Sequence, residues 1–341
     1  MPPKKQLKFK NYKIMKKILF AVLALAAMAS CSKDEVIEVN REQIGFGDVF
    51  VDNATRADYS SGQDLTQFNV YGIVKGTAGI VNIFAGIPVT GTVGSNIVEG
   101  VETHVWSYDE QYAQYWIPGA DYDFAAVVDA DGVGTSTSDA TIGMPINLTS
   151  TADNNGVRKD LLYAEGHVEN ATANQAPVNF TFNHLLSKVH FTVKSNAQGG
   201  YYHTVTGISV SNFKSGTFTL DNVITPATID GGTWTASGDE DNKLAVPFAE
   251  ITNVTSTNTN GISNADMLLV PNTDAFNVTF TVDLYKNGTK LGTETKTIAV
   301  NNDLVKGHAY NFTIACSVGN PIQFSVTSDP AWTNDPDVKI Q

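Results

Sequence analysis

The chain has 341 residues, with 22 lysines and arginines against 35 acidic residues, and only two cysteines. The first 30 residues carry seven lysines and no acid, so the remainder keeps 15 basic residues and a net charge of −20. Such an excess of carboxylates repels phosphate backbones and anionic lipid surfaces, which excludes nucleic acid as a partner class. Two cysteines exclude a disulfide framework.

The chain opens with a basic segment, Met1 to Ile14, ahead of a second methionine, Met15. Lys16-Lys17, an apolar run from Ile18, and Met28-Ala29-Ser30 then form the three parts of a secretory signal. The run is shorter than the ~20 residues needed to span a bilayer. A cysteine directly after Met-Ala-Ser is a lipobox, so Cys31 is the expected acylation site. Residues 1–30 are the expected signal peptide, with Met15 a plausible true start, and membrane attachment is expected only through the lipid on Cys31. About 310 residues remain, enough for two domains.

Past the signal, period-two alternation dominates. Ile44, Phe46 and Phe50 are expected on one face of a first strand. The following loop, Asp52 to Asp58, is small and polar and suits proteolytic nicking; it holds Arg56, one of three arginines after residue 30, with Arg41 and Arg158. Gly132–Thr141 reads as a loop. Val178-Phe180-Phe182, Val189-Phe191-Val193 and Val278-Phe280-Val282-Leu284 predict half-buried antiparallel strands. Asn287-Gly288 predicts a hairpin turn. Many short strands with regular turns imply β-sandwiches. The boundary is placed near 183–187, giving domains 57–186 and 187–341.

The chemistry of catalysis is not visible. Six histidines form no His-Glu-x-x-His and no zinc spacing, and no nucleophile elbow or phosphate loop occurs. Asp129-Ala130-Asp131-Gly132 starts like a calcium loop, but its twelfth position is Ala140 rather than glutamate. Asp121/Asp123 and Asp239-Glu240-Asp241 read as solvated acids. Trp106, Trp116, Trp234 and Trp332 offer either a sugar-stacking surface or core residues. No enzyme, metal or cofactor is expected.

A set of ordered blocks resembles a known family. Ala54-Thr55-Arg56-Ala57 follows an N-terminal strand in a lipoprotein precursor. Tyr115-Trp116-Ile117-Pro118-Gly119 precedes Tyr122-Asp123-Phe124. Lys159-Asp160-Leu161-Leu162-Tyr163-Ala164, then Phe182-Asn183-His184-Leu185-Leu186-Ser187-Lys188-Val189, then Met267 to Pro271 and Gly307 to Phe312 continue the series. This series is similar to the fimbrillins, subunits of type V pili of Gram-negative anaerobes. The resemblance implies an all-β chain of two tandem transthyretin-like antiparallel β-sandwich domains. It also implies an outer-membrane lipoprotein precursor that becomes extracellular fimbria at the cell surface. An arginine-specific protease would cut between Arg56 and Ala57, releasing Cys31–Arg56 as a lipidated propeptide.

A mechanism follows from the strands. Removing a first strand uncovers unpaired backbone and an apolar groove, a template for another chain's strand. The tail from about 321 to 341, with Ile322, Phe324, Val326, Trp332 and Ile340, is the candidate donor. Head-to-tail exchange between copies, or with related pilus subunits, makes an open filament with a role in adhesion to host or bacterial surface ligands. Two alternatives compete: an uncleaved anchor or tip subunit, and a surface lipoprotein that binds glycans through exposed tryptophans. Ile322–Val326 could equally be the last strand of the second sandwich.

Overall fold

The computed structural model describes residues 41–51, 65–77, 79–98, 101–136, 143–220, 231–236 and 240–329. Among them every regular element is a strand, apart from two single 3-10 turns at Glu110–Tyr112 and Glu240–Asn242. The chain is an all-β protein of packed sheets, as the alternation implies.

Seven strands build the first sheet, in the order β1 (Phe46–Val51), β9 (Val178–His184), β8 (Leu162–Val168), β5 (Asp121–Val128), β2 (Gln67–Gly76), β3 (Gly79–Val98) and β4 (Val101–Ser107). One face is lined by Phe68, Phe84, Phe124, Phe180, Phe182 and Trp106, all buried. The ring of Phe46 on β1 touches rings from β2, β3, β5 and β9 at once. A flat sheet would keep those strands far apart, so the sheet curls around one aromatic core, with β1 also close to β4.

The outer face of β2, β5 and β8 is covered by a second sheet: β6 (Gly132–Thr135), β7 (Pro145–Thr151), β12 (Ser215–Thr219) and β13 (Thr233–Thr235). Leu148 and Phe218 of this sheet join Ala125, Val127, Leu161 and Tyr163 in a second core. The β12–β13 hairpin pairs with β7 from Ser215↔Thr151 to Thr219↔Asn147, so this sheet draws on both sides of the expected boundary near 183–187.

The remaining strands form two facing sheets. One holds β10 (Ser187–Ser195), β16 (Ile262–Ser263), β17 (Met267–Leu269), β20 (Ala309–Cys316) and β21 (Gln323–Asp329). The other holds β11 (Tyr201–Phe213), β14 (Lys243–Pro247), β15 (Ile251–Val254), β18 (Phe276–Lys286) and β19 (Thr289–Val300). Between them lies a third core built on Phe191, Phe280 and Phe312. Asn287 and Gly288 both take positive φ, 48° and 83°, and turn β18 into β19 as the Asn-Gly signal predicts. Cys316 is buried in this core, and burial pushes its thiol up to about 12.

The peptide joining β9 to β10 is tied on several sides. Trp234 Nε1 donates to Leu185 O at 2.8 Å, Gly307 N to Leu186 O at 2.9 Å, and Lys188 N to His308 O at 2.9 Å. His184 Nδ1 donates to the fully buried Asp160 carboxylate at 2.9 Å. Thus the Asp-Leu-Leu-Tyr and Phe-x-His-x-Leu-Ser-Lys blocks meet at this junction.

On the outer face of the curled sheet, Asp123 holds Lys75 and His167. Glu165, near Tyr163 and Asp123, is pushed up to about 7, mainly by burial. The folded chain therefore keeps that proton at a pH where the unfolded chain has lost it. This contribution to stability is greatest below about 4.5 and falls as pH rises toward about 7. Glu165→Gln should flatten the fall, measured as urea midpoints across that window. An unchanged slope would assign the pH dependence to other groups.

Candidate functional site

The segment from Arg41 to Val51 enters the first sheet as its terminal strand. It is the sheet's only parallel member, running beside β9 with Phe46 opposite Val178 and Val51 opposite Phe182. Its first half is held on two sides. Val178 N donates to Gly45 O at 2.9 Å and Glu42 N to Ala173 O at 3.1 Å. From the other side, Ile44 N donates to Gln114 O at 2.8 Å, Trp116 N to Glu42 O at 3.1 Å, and the Tyr108 hydroxyl to Ile44 O at 2.6 Å. The strand is a plug set between β9 and the 108–116 segment.

Phe46 is the centre of the plug. It is only 6% exposed and meets Phe180 in a stacked pair at 5.8 Å, Tyr108 at 5.7 Å, Phe84 at 5.8 Å, Phe124 at 6.2 Å and Phe68 at 6.3 Å. Ile44 is buried beside it. Each favourable aromatic pair adds about 0.5–1.5 kcal/mol beyond area burial.

The expected inward face needs one correction. Ile44 and Phe46 point into the core, but Phe50 is 55% exposed. The register shifts between Phe46 and Val49, a bulge that moves Val49 and Val51 onto the core side and turns Phe50 outward. Asn179 Oδ1 accepts Asp48 N at 2.9 Å inside the bulge. A Cβ on Gly47 would fall 2.4 Å from that oxygen, so the close approach requires glycine there.

The ladder explains why β1 matters to its neighbour. β9 has register partners on β8 at only two positions, Leu162↔His184 and Tyr163↔Asn183. From Val178 to Phe182 its strand partner is β1. Taking β1 away would uncover that edge together with the aromatic pocket around Phe46.

The tail residues lie elsewhere. Ile322, Phe324 and Val326 pack on the third core, and Phe324 sits 6.1 Å from Phe280 and 5.9 Å from Phe312. β21 pairs with β20 from Gln323↔Ala315 to Asp329↔Ala309. Phe324 and Val326 thus belong to the edge strand of their own sandwich, and Ile322 directly precedes it. Cys31, Arg56, Ala57, Trp332 and Ile340 lie outside the described residues. Periodicity did not single out Tyr108, Gln114 or Asn179 as groove residues, because their roles come from long-range contacts.

Among the described residues, Trp106, Trp116 and Trp234 pack into the cores and do not make a shared binding surface. Trp116 is fully buried against Tyr122 at 4.8 Å, Trp106 packs on Phe68 at 4.8 Å, and Trp234 lies 5.8 Å from Phe218. Asp129 and Asp131 tie their loop to other segments: Asp129 pairs with Lys159 at 3.4 Å, and Asp131 accepts from Thr151 N on β7. Among the described residues no cluster of histidine, cysteine and carboxylate has the arrangement of a metal site.

Residues 55–330 match the model of the fimbrillin-like family. The chain belongs to that family. Solved structures similar to this fimbrillin-like protein include a putative cell adhesion protein from Bacteroides uniformis, with 16% identity, 85% of this chain and 98% of that chain covered, and a TM-score of 0.49. Another is a putative cell adhesion protein from Bacteroides ovatus, with 15% identity, 85% and 96% covered, and a TM-score of 0.49. A third is a fimbrial assembly protein from Parabacteroides distasonis, with 14% identity, 84% and 100% covered, and a TM-score of 0.44. No curated protein matches the sequence.

Proposed function

We propose that this fimbrillin-like protein is a structural pilus subunit at the cell surface, with a role in adhesion and no catalytic one. It is exported as a precursor on a Cys31 lipid and is activated by a cut after Arg56. The observation that carries this reading is the plug: one strand, Phe46–Val51, supplies both the ladder partner of β9 and the ring at the centre of the first core. A cut at Arg56 leaves β1 with no covalent link to the rest of the chain, so it can depart with the lipid. The vacated place then offers β9's edge and a pocket lined by Phe68, Phe84, Tyr108, Phe124 and Phe180 to a strand from another subunit.

The donor in this reading is the segment beyond Asp329. β21 would have to give up its whole pairing with β20 to be donated; residues 330–341 carry the apolar Trp332 and Ile340. Twelve residues span roughly 40 Å when extended, and the plug occupies 42–51, a shorter stretch. Related pilus subunits could supply the same strand.

The arginines make the cut selective. Arg158 is 6% exposed and donates to Phe213 O at 2.8 Å, so an arginine-specific protease meets only Arg41 and Arg56 after the signal. A cut at Arg41 would remove the lipid and keep β1; a cut at Arg56 removes both. In the test, Arg56→Ala precursor and wild type are treated with an arginine-specific protease and followed by electron microscopy and mass spectrometry. Wild type is expected to start at Ala57 and form filaments, while Arg56→Ala stays monomeric. Filaments from Arg56→Ala, or a wild-type polymer starting at Glu42, would overturn the reading. Deleting 330–341 should block assembly while leaving cleavage intact; assembly undiminished by that deletion would remove this segment as donor.

A further inference from the structure

The outward face of the β10–β20–β21 sheet is hollowed into a trough of about 640 Å³. Its floor is set by register: His190 lies opposite Asn311, which lies opposite Thr327, and Thr192 lies opposite Thr313. An outward sheet face is usually open, but here residues 260–266 rise along β10 as a wall. Ser263 pairs with Thr192 across the backbone, and their hydroxyls meet at 2.7 Å. Asn264 pins the wall, accepting Phe191 N at 2.8 Å and donating to Ala249 O at 3.2 Å. Gly261, at φ +83°, lets the chain lie against β10, since a Cβ there would fall 2.6 Å from Thr192 Cγ2 and 2.9 Å from Val193 O.

Two features of this hollow point to a ligand. Asn311 Oδ1 is buried in its floor with no hydrogen-bond partner. A buried acceptor without a donor is unfavourable, and a small turn of the amide toward the hollow would let a ligand hydroxyl satisfy it. The charged side chains of the lining are Lys194, Asp266 and Asp329, and His190 Nδ1 sits 3.0 Å from Asp266 Oδ1. With two carboxylates against one ammonium, the lining disfavours an anionic ligand. What remains is a dense mixture of amide, hydroxyl, imidazole and carboxylate groups interleaved with a comparable share of apolar surface. A ligand matching it must offer donors and acceptors from the same atoms at short spacing. Vicinal hydroxyls on a sugar ring do this.

We propose that the trough is a carbohydrate-binding site for a neutral, hydroxyl-rich glycan, with Asn311 and Asp266 as its specificity-determining contacts. It uses none of Trp106, Trp116 and Trp234, and it lies away from the plug and its groove, since every lining residue belongs to the second half of the chain. The test applies the full chain to a printed array of neutral, sialylated and sulfated oligosaccharides. Retention of neutral glycans is expected. Asn311→Leu and Asp266→Ala should each weaken it about tenfold, as loss of one buried hydrogen bond does. Circular dichroism of both variants should match wild type. As a control for local misfolding, Asp266→Asn keeps the shape of the side chain and should retain part of the binding. Retention of no glycan, of charged glycans only, or equal retention by both variants would overturn the proposal.

Discussion

Phe46→Ala should lower the stability of the uncleaved chain by about 3–5 kcal/mol, the range for truncating a buried phenylalanine to alanine. The upper part of that range is expected, because five rings surround the side chain and are fixed by their own strands. A core that cannot collapse keeps its cavity, and cavity volume adds to the transfer cost. Denaturant unfolding of the Arg56→Ala precursor, with and without Phe46→Ala, measures this directly. A loss below about 1 kcal/mol would mean that β1 is not seated as described. The same pair of chains, each with a cleavable Arg56, gives a second reading. Once the cut has released β1, the two mature proteins have identical sequences, so any stability difference must vanish. The variant should also release its plug faster, because the packing that holds it is gone.

Asp160→Ala should cost about 3 kcal/mol, the upper end of the penalty for leaving a buried hydrogen-bonding group unsatisfied, because the acceptor removed is a carboxylate. Asp160 is fully buried and accepts from His184 Nδ1. His184 ends β9, and Asp160 precedes β8, so the pair joins strands whose direct ladder spans only two register positions. Loss of the carboxylate leaves the imidazole nitrogen without its acceptor in a place water does not reach. Asp160→Asn keeps the shape and an acceptor oxygen, and should cost clearly less. Thermal unfolding of both variants against wild type checks the order; equal costs would show that the retained shape and acceptor oxygen contribute nothing at this junction.

Much of this architecture is legible in the residues. Val178, Phe180 and Phe182 alternate in sequence and all three are buried, because one face of β9 meets a core while the other does not. Asn287-Gly288 turns where its φ preference allows. The bulge in β1 was not legible: Phe46 and Phe50 share a face in an unbroken strand, and only the tie from Asn179 to Asp48 shows that the register slips. The β12–β13 hairpin was hidden for a related reason. Local alternation marks Ser215–Thr219 as a strand but carries no record of its partner, which lies about 70 residues earlier in the chain. The trough has the same origin, since its wall and floor are joined only by folding. The ordered blocks that resemble the fimbrillins were informative because several of them converge on the β9–β10 junction.

That junction has a mechanical consequence for a filament built by strand exchange. An incoming strand would lie beside β9, and β9 continues through Leu185 and Leu186 directly into β10. β10 runs parallel to β20, which carries β21 and then the outgoing tail. Tension applied to a pilus would therefore pass from the incoming strand across one ladder, along a covalent segment, and across two more ladders to the next subunit. Strands pulled along their length share load over many hydrogen bonds at once, whereas strands peeled from one end break them singly. The ties to Trp234, Gly307 and His308 would keep the two halves from swivelling under that load, so the junction that organises the fold would also be the tendon of the fibre.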